Sequence, residues 1–178
     1  VPEVTIRTAL EGDADAIAAI YAHHVRHGTA TFDMIPRTPA ETAAKIVDCA
    51  NRGWPFLVAE RADVVIGYAY ATQFRDRPAY VAACENSIYL HPDHLGQGVG
   101  KALLAALLVA AEQAGFRQMI AVAGGGEPAS VALHASLGFT HAGTMRSVGR
   151  KFGRWLDTIY LQIALGDGDA TPPAREPQ

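Results

Sequence analysis

The stretch from residue 87 to residue 111 limits the fold more than any other part of the chain. A β-rich run, residues 87–90, stops at His91-Pro92; a loop with glycine at 96, 98 and 100 follows; then a helix sets Leu103, Leu104, Leu107, Leu108 and Ala111 on one stripe. This order puts the unsatisfied N–H groups of a helix start at the mouth of a glycine loop, a place that suits a phosphate. The glycines remove side chains that would hold a pyrophosphate away, and the helix dipole favours its charge. Two common phosphate loops are excluded. A Walker loop would need glycine where Leu95 stands and a hydroxyl where Ala102 stands, and the dinucleotide pattern would need glycine in place of Lys101. Taken alone, the glycines are equally consistent with a simple tight turn.

The flanking segments fix the fold class. Residues 4–8 alternate like a strand, and Glu11-Gly12-Asp13 turns the chain into a helix with Ile17, Ile20, Tyr21 and His24 on one face. Thr38-Pro39-Ala40-Glu41 supplies a cap, a first-position proline and a capping-box glutamate, so a helix should run to about Gly53. Residues 56–60 and 64–74 read as a hairpin across Arg61-Ala62-Asp63. Residues 118–123 form a further strand, 129–137 a short helix ended by Gly138, and 159–165 the last strand. The order β, α, α, β, β, β, loop, α, β, α, β, β predicts one α/β (α+β) domain over residues 1–165, with a mixed, mostly antiparallel sheet flanked by helices. The Gly-, Pro- and Ala-rich tail, residues 166–178, is predicted to be disordered.

Composition excludes several classes. With 178 residues and a net charge of -3, the chain fits one globular domain and lacks the basic excess of a nucleic-acid surface. Its longest apolar run, residues 102–111, is half of the roughly 20 residues a membrane span needs. No secretory-type leader is visible, so the expected location is the cytoplasm. Cys49 and Cys84 are too few for a disulfide framework or zinc site and are expected to be free and buried. His23 and His27 share a helix face beside His24, but no further ligand completes a metal site.

The run of strand, His91-Pro92-Asp93-His94, glycine at 96, 98 and 100, and helix resembles the acetyl-CoA loop of the GNAT superfamily. Cys84-Glu-Asn-Ser-Ile-Tyr-Leu-His-Pro92 and Val148-Gly-Arg-Lys-Phe-Gly-Arg-Trp-Leu-Asp157 are similar to segments of its phosphinothricin and methionine sulfoximine acetyltransferase branch. The resemblance implies acetyl-CoA as co-substrate, bound where two neighbouring strands splay apart, with no metal. It also implies direct transfer in a ternary complex to the α-amine of a small amino-acid-like acceptor, such as phosphinothricin or methionine sulfoximine or sulfone, by a homodimer.

The resemblance gives the candidate residues their roles. An α-amine is mostly protonated at neutral pH, so a base is required, and Glu85 is the candidate. Its position alone favours an exposed strand glutamate, and the resemblance reverses that preference. His134 stands where many relatives carry a tyrosine that protonates the departing thiolate; acid, base and structural roles all remain open. The Leu90 N–H would donate to the developing oxyanion, and a bulge in its strand would free Ile88 and Leu90 to pair with the pantetheine arm. Further cofactor contacts are expected at Tyr89, Leu95, Gly96, Gln97, Gly98, Val99, Gly100, Lys101, Glu127 and Ser130. Leu95 replaces the usual Arg or Gln, and Glu127 replaces an asparagine. Acceptor contacts are expected from Phe32, Arg75, Arg77, Glu85, Asn86 and Ser87, an arginine holding the carboxylate. The basic residues 146–154 alternate with Val148, Phe152 and Trp155, which fits a pocket wall or dimer contact better than RNA binding. Acetylation of protein N-termini or lysines, and a catalytically silent CoA-binding module, are the competing readings.

Overall fold

The computed structural model describes residues 3–177. Seven strands form one sheet in the order β1-β2-β3-β4-β5-β7-β6. Along the chain these are β1 (Thr5–Thr8), α1 (Ala14–His27), α2 (Pro39–Arg52), β2 (Phe56–Arg61), β3 (Val64–Gln73), β4 (Ala83–Leu90), α3 (Val99–Gln113), β5 (Gln118–Gly124), α4 (Pro128–Ala135), β6 (Thr140–Lys151) and β7 (Arg154–Ala164). Every neighbouring pair is antiparallel except β4 and β5, which α3 joins as a crossover. The mixed, mostly antiparallel sheet expected from the element order is the one observed.

Each face of the sheet carries its own core. On one side Leu103, Leu104 and Leu107 of α3 pack with Ala59, Cys84, Met119 and Ala121; on the other Ile17, Ile20 and Tyr21 of α1 and Ile46 of α2 pack with Phe56, Val58, Tyr68 and Tyr70. The apolar stripes read from the sequence are therefore the buried faces. At the start of α2 the Glu41 N–H donates to Thr38 Oγ1 at 3.2 Å and the Thr38 N–H donates to Glu41 Oε2 at 2.7 Å, completing the capping box. Both cysteines are buried and unpaired.

Three boundaries differ from the sequence expectation. Strand β4 starts at Ala83, four residues before residue 87, because pairing with both neighbours carries the polar pair Glu85 and Asn86 into the sheet. Strand β6 is exposed along nearly its whole length and shows no apolar alternation; pairing with β7 defines it. Strand β7 begins at Arg154, opposite Lys151, rather than at residue 159. The segment after Gly166 was expected to lack structure. Its backbone crosses Arg117, whose Nη2 donates to Thr171 Oγ1 at 2.6 Å and to the Pro172 carbonyl at 2.9 Å.

The β2–β3 hairpin turns through Ala62 and Asp63, with φ of 50° and 61°. Two consecutive left-handed residues make a type I′ turn, and alanine is poorly suited to it. Ala62→Asn should raise the unfolding free energy in urea by about 0.5–1 kcal/mol, part of the left-handed penalty of an ordinary side chain. No gain, or a loss, would contradict this turn geometry.

Candidate active site

The site originates in a break between two strands. Pairing of β4 with β5 runs from Ala83↔Gln118 to Asn86↔Ala121 and stops, while β5 stays paired to β7 as far as Gly124↔Thr158. The His91 N–H donates to the Ile66 carbonyl at 2.8 Å, so strand alternation sends the N–H groups of Ser87 and Tyr89 to β3 and those of Ile88 and Leu90 to the open side. The anticipated bulge in β4 is absent: its register with β3 is unbroken from Gly67↔Leu90 to Gln73↔Cys84. The splay instead comes from β5 leaving with β7. The Tyr89 N–H serves the sheet, its ring packs on Tyr21 and Tyr68, and the residue lines the cavity below the splay. The Leu90 carbonyl accepts from His24 Nε2 at 2.7 Å, leaving the Leu90 N–H as the open group. Burial holds the His24 ring below the usual histidine range.

At the end of β4 the glycine loop meets α3. Gly96 and Gly98 have φ of 70° and 81°, left-handed values that other residues adopt at a cost, and Gly98 caps the helix. The first helical bond runs from the Ala102 N–H to the Gly98 carbonyl at 3.1 Å, so the N–H groups of Val99, Gly100 and Lys101 have no acceptor within the helix. Leu95, Gln97 and Lys101 are exposed, whereas Gly100 is buried, where a Cβ would stand 3.3 Å from Leu90. Arg61, read from the sequence only as part of a hairpin turn, braces this loop by donating from Nη1 to Gln97 Oε1 at 2.7 Å. Gln97 Nε2 donates onward to the Asp93 carbonyl at 3.0 Å. The Gln97 side chain is thus an internal strut, and backbone N–H groups with a helix dipole remain to hold a pyrophosphate.

Below the splay lies a cavity of about 250 Å³. Glu85, Asn86, Ser87, Ile88 and Tyr89 form one wall; Val122, Gly124, Ser130 and His134 form another; Thr31, Phe32 and Thr158 close it. Alternation places the side chains of Glu85 and Asn86 on opposite faces of β4. They line one cavity because β5 parts from β4 immediately beyond Asn86↔Ala121. Burial raises the Glu85 carboxyl above its ordinary value, and Arg75, with Nη1 3.8 Å from Oε2, pulls it partly back. His134 is 3% exposed, with Nδ1 2.7 Å from the Ser130 carbonyl and Nε2 3.1 Å from Asn86 Oδ1. Burial keeps its ring neutral-leaning, and the Ser130 carbonyl opposes that only in part.

The cover is held by residues whose roles the sequence did not disclose. Lys151, buried near the end of β6, donates from Nζ to the Thr31 carbonyl at 2.9 Å, and Tyr21 Oη lies 2.9 Å from Thr31 Oγ1. Phe32 packs over Gly149, where an added Cβ would come within 2.2 Å of the ring. Other expected contacts lie outside the cavity lining. Arg75 stacks over Phe74 at 3.9 Å, near Glu85. The Arg77 side chain is exposed, while its backbone is engaged, the N–H donating to the Arg75 carbonyl at 2.8 Å and the carbonyl accepting from Gln73 Nε2 at 2.9 Å. Glu127 sits at the N-cap of α4 with no side-chain bond to the helix, whereas Ser130 does line the cavity.

Comparison with known proteins agrees with this geometry. The family model for the acetyltransferase (GNAT) domain matches residues 6–160. The chain is 48% identical over 170 residues to a phosphinothricin N-acetyltransferase of Alcaligenes faecalis, covering 95% of this chain and 86% of the relative. It is 39% identical over 181 residues to an L-methionine sulfoximine/L-methionine sulfone acetyltransferase of Salmonella typhimurium, covering 96% and 99%. A GNAT superfamily phosphinothricin acetyltransferase from Sinorhizobium meliloti, solved in complex with AcCoA, superposes with a TM-score of 0.94 at 46% identity, covering 98% of this chain and 95% of that one. A structure of a ribosomal-protein-alanine N-acetyltransferase from Brucella melitensis gives 0.87 at 37% identity, covering 90% and 99%. The chain belongs to the GNAT family of acetyltransferases.

Proposed function

We propose that this enzyme acetylates the α-amine of a small amino-acid-like acceptor, with phosphinothricin and methionine sulfoximine or sulfone as the acceptor type. The observation that carries the reading is Glu85. It is a carboxylate with a raised pKa, in a cavity of about 250 Å³, beside the strand splay and next to a guanidinium. Acetyl-CoA supplies an activated acetyl thioester. The loop N–H groups of residues 96–101 and the open backbone groups of Ile88 and Leu90 are the ones that would hold it.

The remaining work falls to the chain's own side chains. Glu85 takes the proton from the acceptor ammonium, so that a lone pair is available for attack. Both ring nitrogens of His134 are already engaged, which leaves proton removal to Glu85. The Leu90 N–H faces the open side, where negative charge builds on the carbonyl oxygen. Arg75, at the edge of the site, receives the acceptor carboxylate, and Phe32 packs against its side chain. Acetylation of peptide N-termini is a second reading, favoured by the likeness to the ribosomal-protein-alanine N-acetyltransferase of Brucella melitensis. Tethering of Thr31 by Lys151 and Tyr21 favours an enclosed small molecule over a peptide. Reduced Cys49 and Cys84 suit the cytoplasm.

A homodimer is also proposed. The β6–β7 hairpin exposes Met145, Val148, Phe152 and Trp155, and a second copy would cover this apolar surface. Trp155→Glu should convert a dimer to a monomer in sedimentation equilibrium; a wild-type monomer would refute the assembly.

Two kinetic predictions test the chemistry. Glu85→Gln should lower kcat for methionine sulfoximine by about 10²–10⁴-fold, read as thiol release, with acetyl-CoA binding retained. Failure of the wild type to release thiol with every amine in a broad panel would instead identify a silent CoA-binding module. A base works when deprotonated, so kcat/KM should rise with pH through the raised Glu85 pKa. Arg75→Ala removes the charge that lowers that pKa and should move this limb to higher pH. The shift should be modest, because Arg75 is half-exposed and solvent screens the pair. The same variant should raise KM for an amino acid but not for its amide; equal effects on both would remove Arg75 from carboxylate recognition.

A further inference from the structure

The carboxamide of Asn86 is 6% exposed, lines the cavity, and has a nitrogen with no hydrogen-bond partner among the described residues. Its oxygen lies 3.1 Å from His134 Nε2, while His134 Nδ1 lies 2.7 Å from the Ser130 carbonyl. A backbone carbonyl only accepts, so the proton of that second bond belongs to Nδ1. A neutral imidazole has one N–H, and Nε2 is then a bare acceptor facing another acceptor. The alternative is an imidazolium donating from both nitrogens, which would bury a charge with no carboxylate bonded to the ring. Carboxamide oxygen and nitrogen have nearly the same shape, and hydrogen-bond logic decides between their two orientations. Turning the amide by half a rotation lets Asn86 Nδ2 donate to Nε2 and puts Oδ1, which needs a donor, at the buried position where the nitrogen had no partner, in the wall of the cavity.

Resting on the N-acetyltransferase reading, we infer that Asn86 presents its side-chain oxygen to the acceptor nitrogen, held in that orientation by neutral His134, and thereby selects primary amines. Once Glu85 has taken one proton from the ammonium, a primary amine retains two N–H bonds. Oδ1 receives one of them and fixes rotation about the C–N bond, so that the lone pair has a set direction. An N-methyl amine retains a single N–H and carries a methyl group that crowds the acceptor. His134 is accordingly a positioning residue, and Asn86 touches the substrate.

Nitrogen-15 NMR of the full-length protein labelled at histidine tests the orientation independently of turnover. The expected result at pH 7 is a neutral His134 with Nδ1 protonated and Nε2 in the unprotonated range; an imidazolium, or a proton on Nε2, overturns the inference. Steady-state kinetics test the selectivity with methionine sulfoximine, its N-methyl derivative and acetyl-CoA. Asn86→Leu should raise KM for the primary amine about tenfold, leave KM for acetyl-CoA unchanged, and reduce discrimination against the N-methyl amine by a similar factor. His134→Gln, whose side-chain oxygen can still accept from Asn86, should keep more of that discrimination than His134→Leu. Unchanged discrimination in Asn86→Leu overturns the proposal. Absence of turnover in the wild type would instead count against the N-acetyltransferase reading, with the NMR result still deciding the orientation.

Discussion

The structure depends on where β4 and β5 stop pairing. Up to Asn86↔Ala121 the two strands share a parallel ladder; beyond it β5 remains with β7 and β4 remains with β3. Two open backbone groups in a sheet interior would ordinarily be a liability, because unpaired buried N–H and C=O groups cost free energy. Here one carbonyl is satisfied by His24, and the open N–H groups of Ile88 and Leu90 face the route that an extended amide-bearing arm would follow. The same withdrawal lets residues from opposite faces of β4 meet in one cavity. Glu85 and His134 would otherwise stand on opposite sides of the sheet.

Burial then divides the chemistry between two titratable groups. It pushes the Glu85 carboxyl up toward the range where a base is useful and pushes the His134 ring down, away from charge. Arg75 keeps the first shift within bounds without closing a tight ion pair, since 3.8 Å is too long for a direct hydrogen bond. His134 meets only a carbonyl and a carboxamide, so its environment favours a fixed tautomer over proton traffic. Under the proposed mechanism a mobile proton, at Glu85, and a fixed one, at His134, lie on two sides of the same small volume.

The sequence disclosed what local chemistry encodes. The capping box of α2, the stripe of α3 and the glycine loop each follow from residues a few positions apart, and each appears where expected. The start of β4 was hidden because Glu85 and Asn86, the residues that give the strand its chemistry, break the apolar pattern that would mark it. Strand β6 was hidden because a surface strand has no buried face to advertise. Lys151 and Thr31 are 120 positions apart, and no local pattern announces their bond. Thr158 reaches the cavity only through the pairing of β7 with β5 at Gly124. Glu85, Asn86, Ser87 and His134 were legible as candidates through the motif resemblance and line the cavity, whereas Arg77, named from its place in the same loop as Arg75, has an exposed side chain outside the lining.

Leu95 and Glu127, the two departures from the family pattern, bear on this geometry in different ways. Leu95 is exposed, and no hydrogen bond that holds the loop runs through its side chain. The strut is Arg61 acting through Gln97, whose side chain also ties back to the Asp93 carbonyl, and the main-chain N–H groups at the start of α3 are the ones without an acceptor in the helix. Such groups are independent of side-chain identity, and they keep their direction as long as Gly96 and Gly98 keep their left-handed backbone. Glu127 stands at a helix N-cap, where its negative charge complements the dipole of α4 rather than reaching into the cavity. In the proposed mode of binding, affinity for the co-substrate is carried by backbone geometry, which leaves the side chains of β4 free to be chosen for the acceptor.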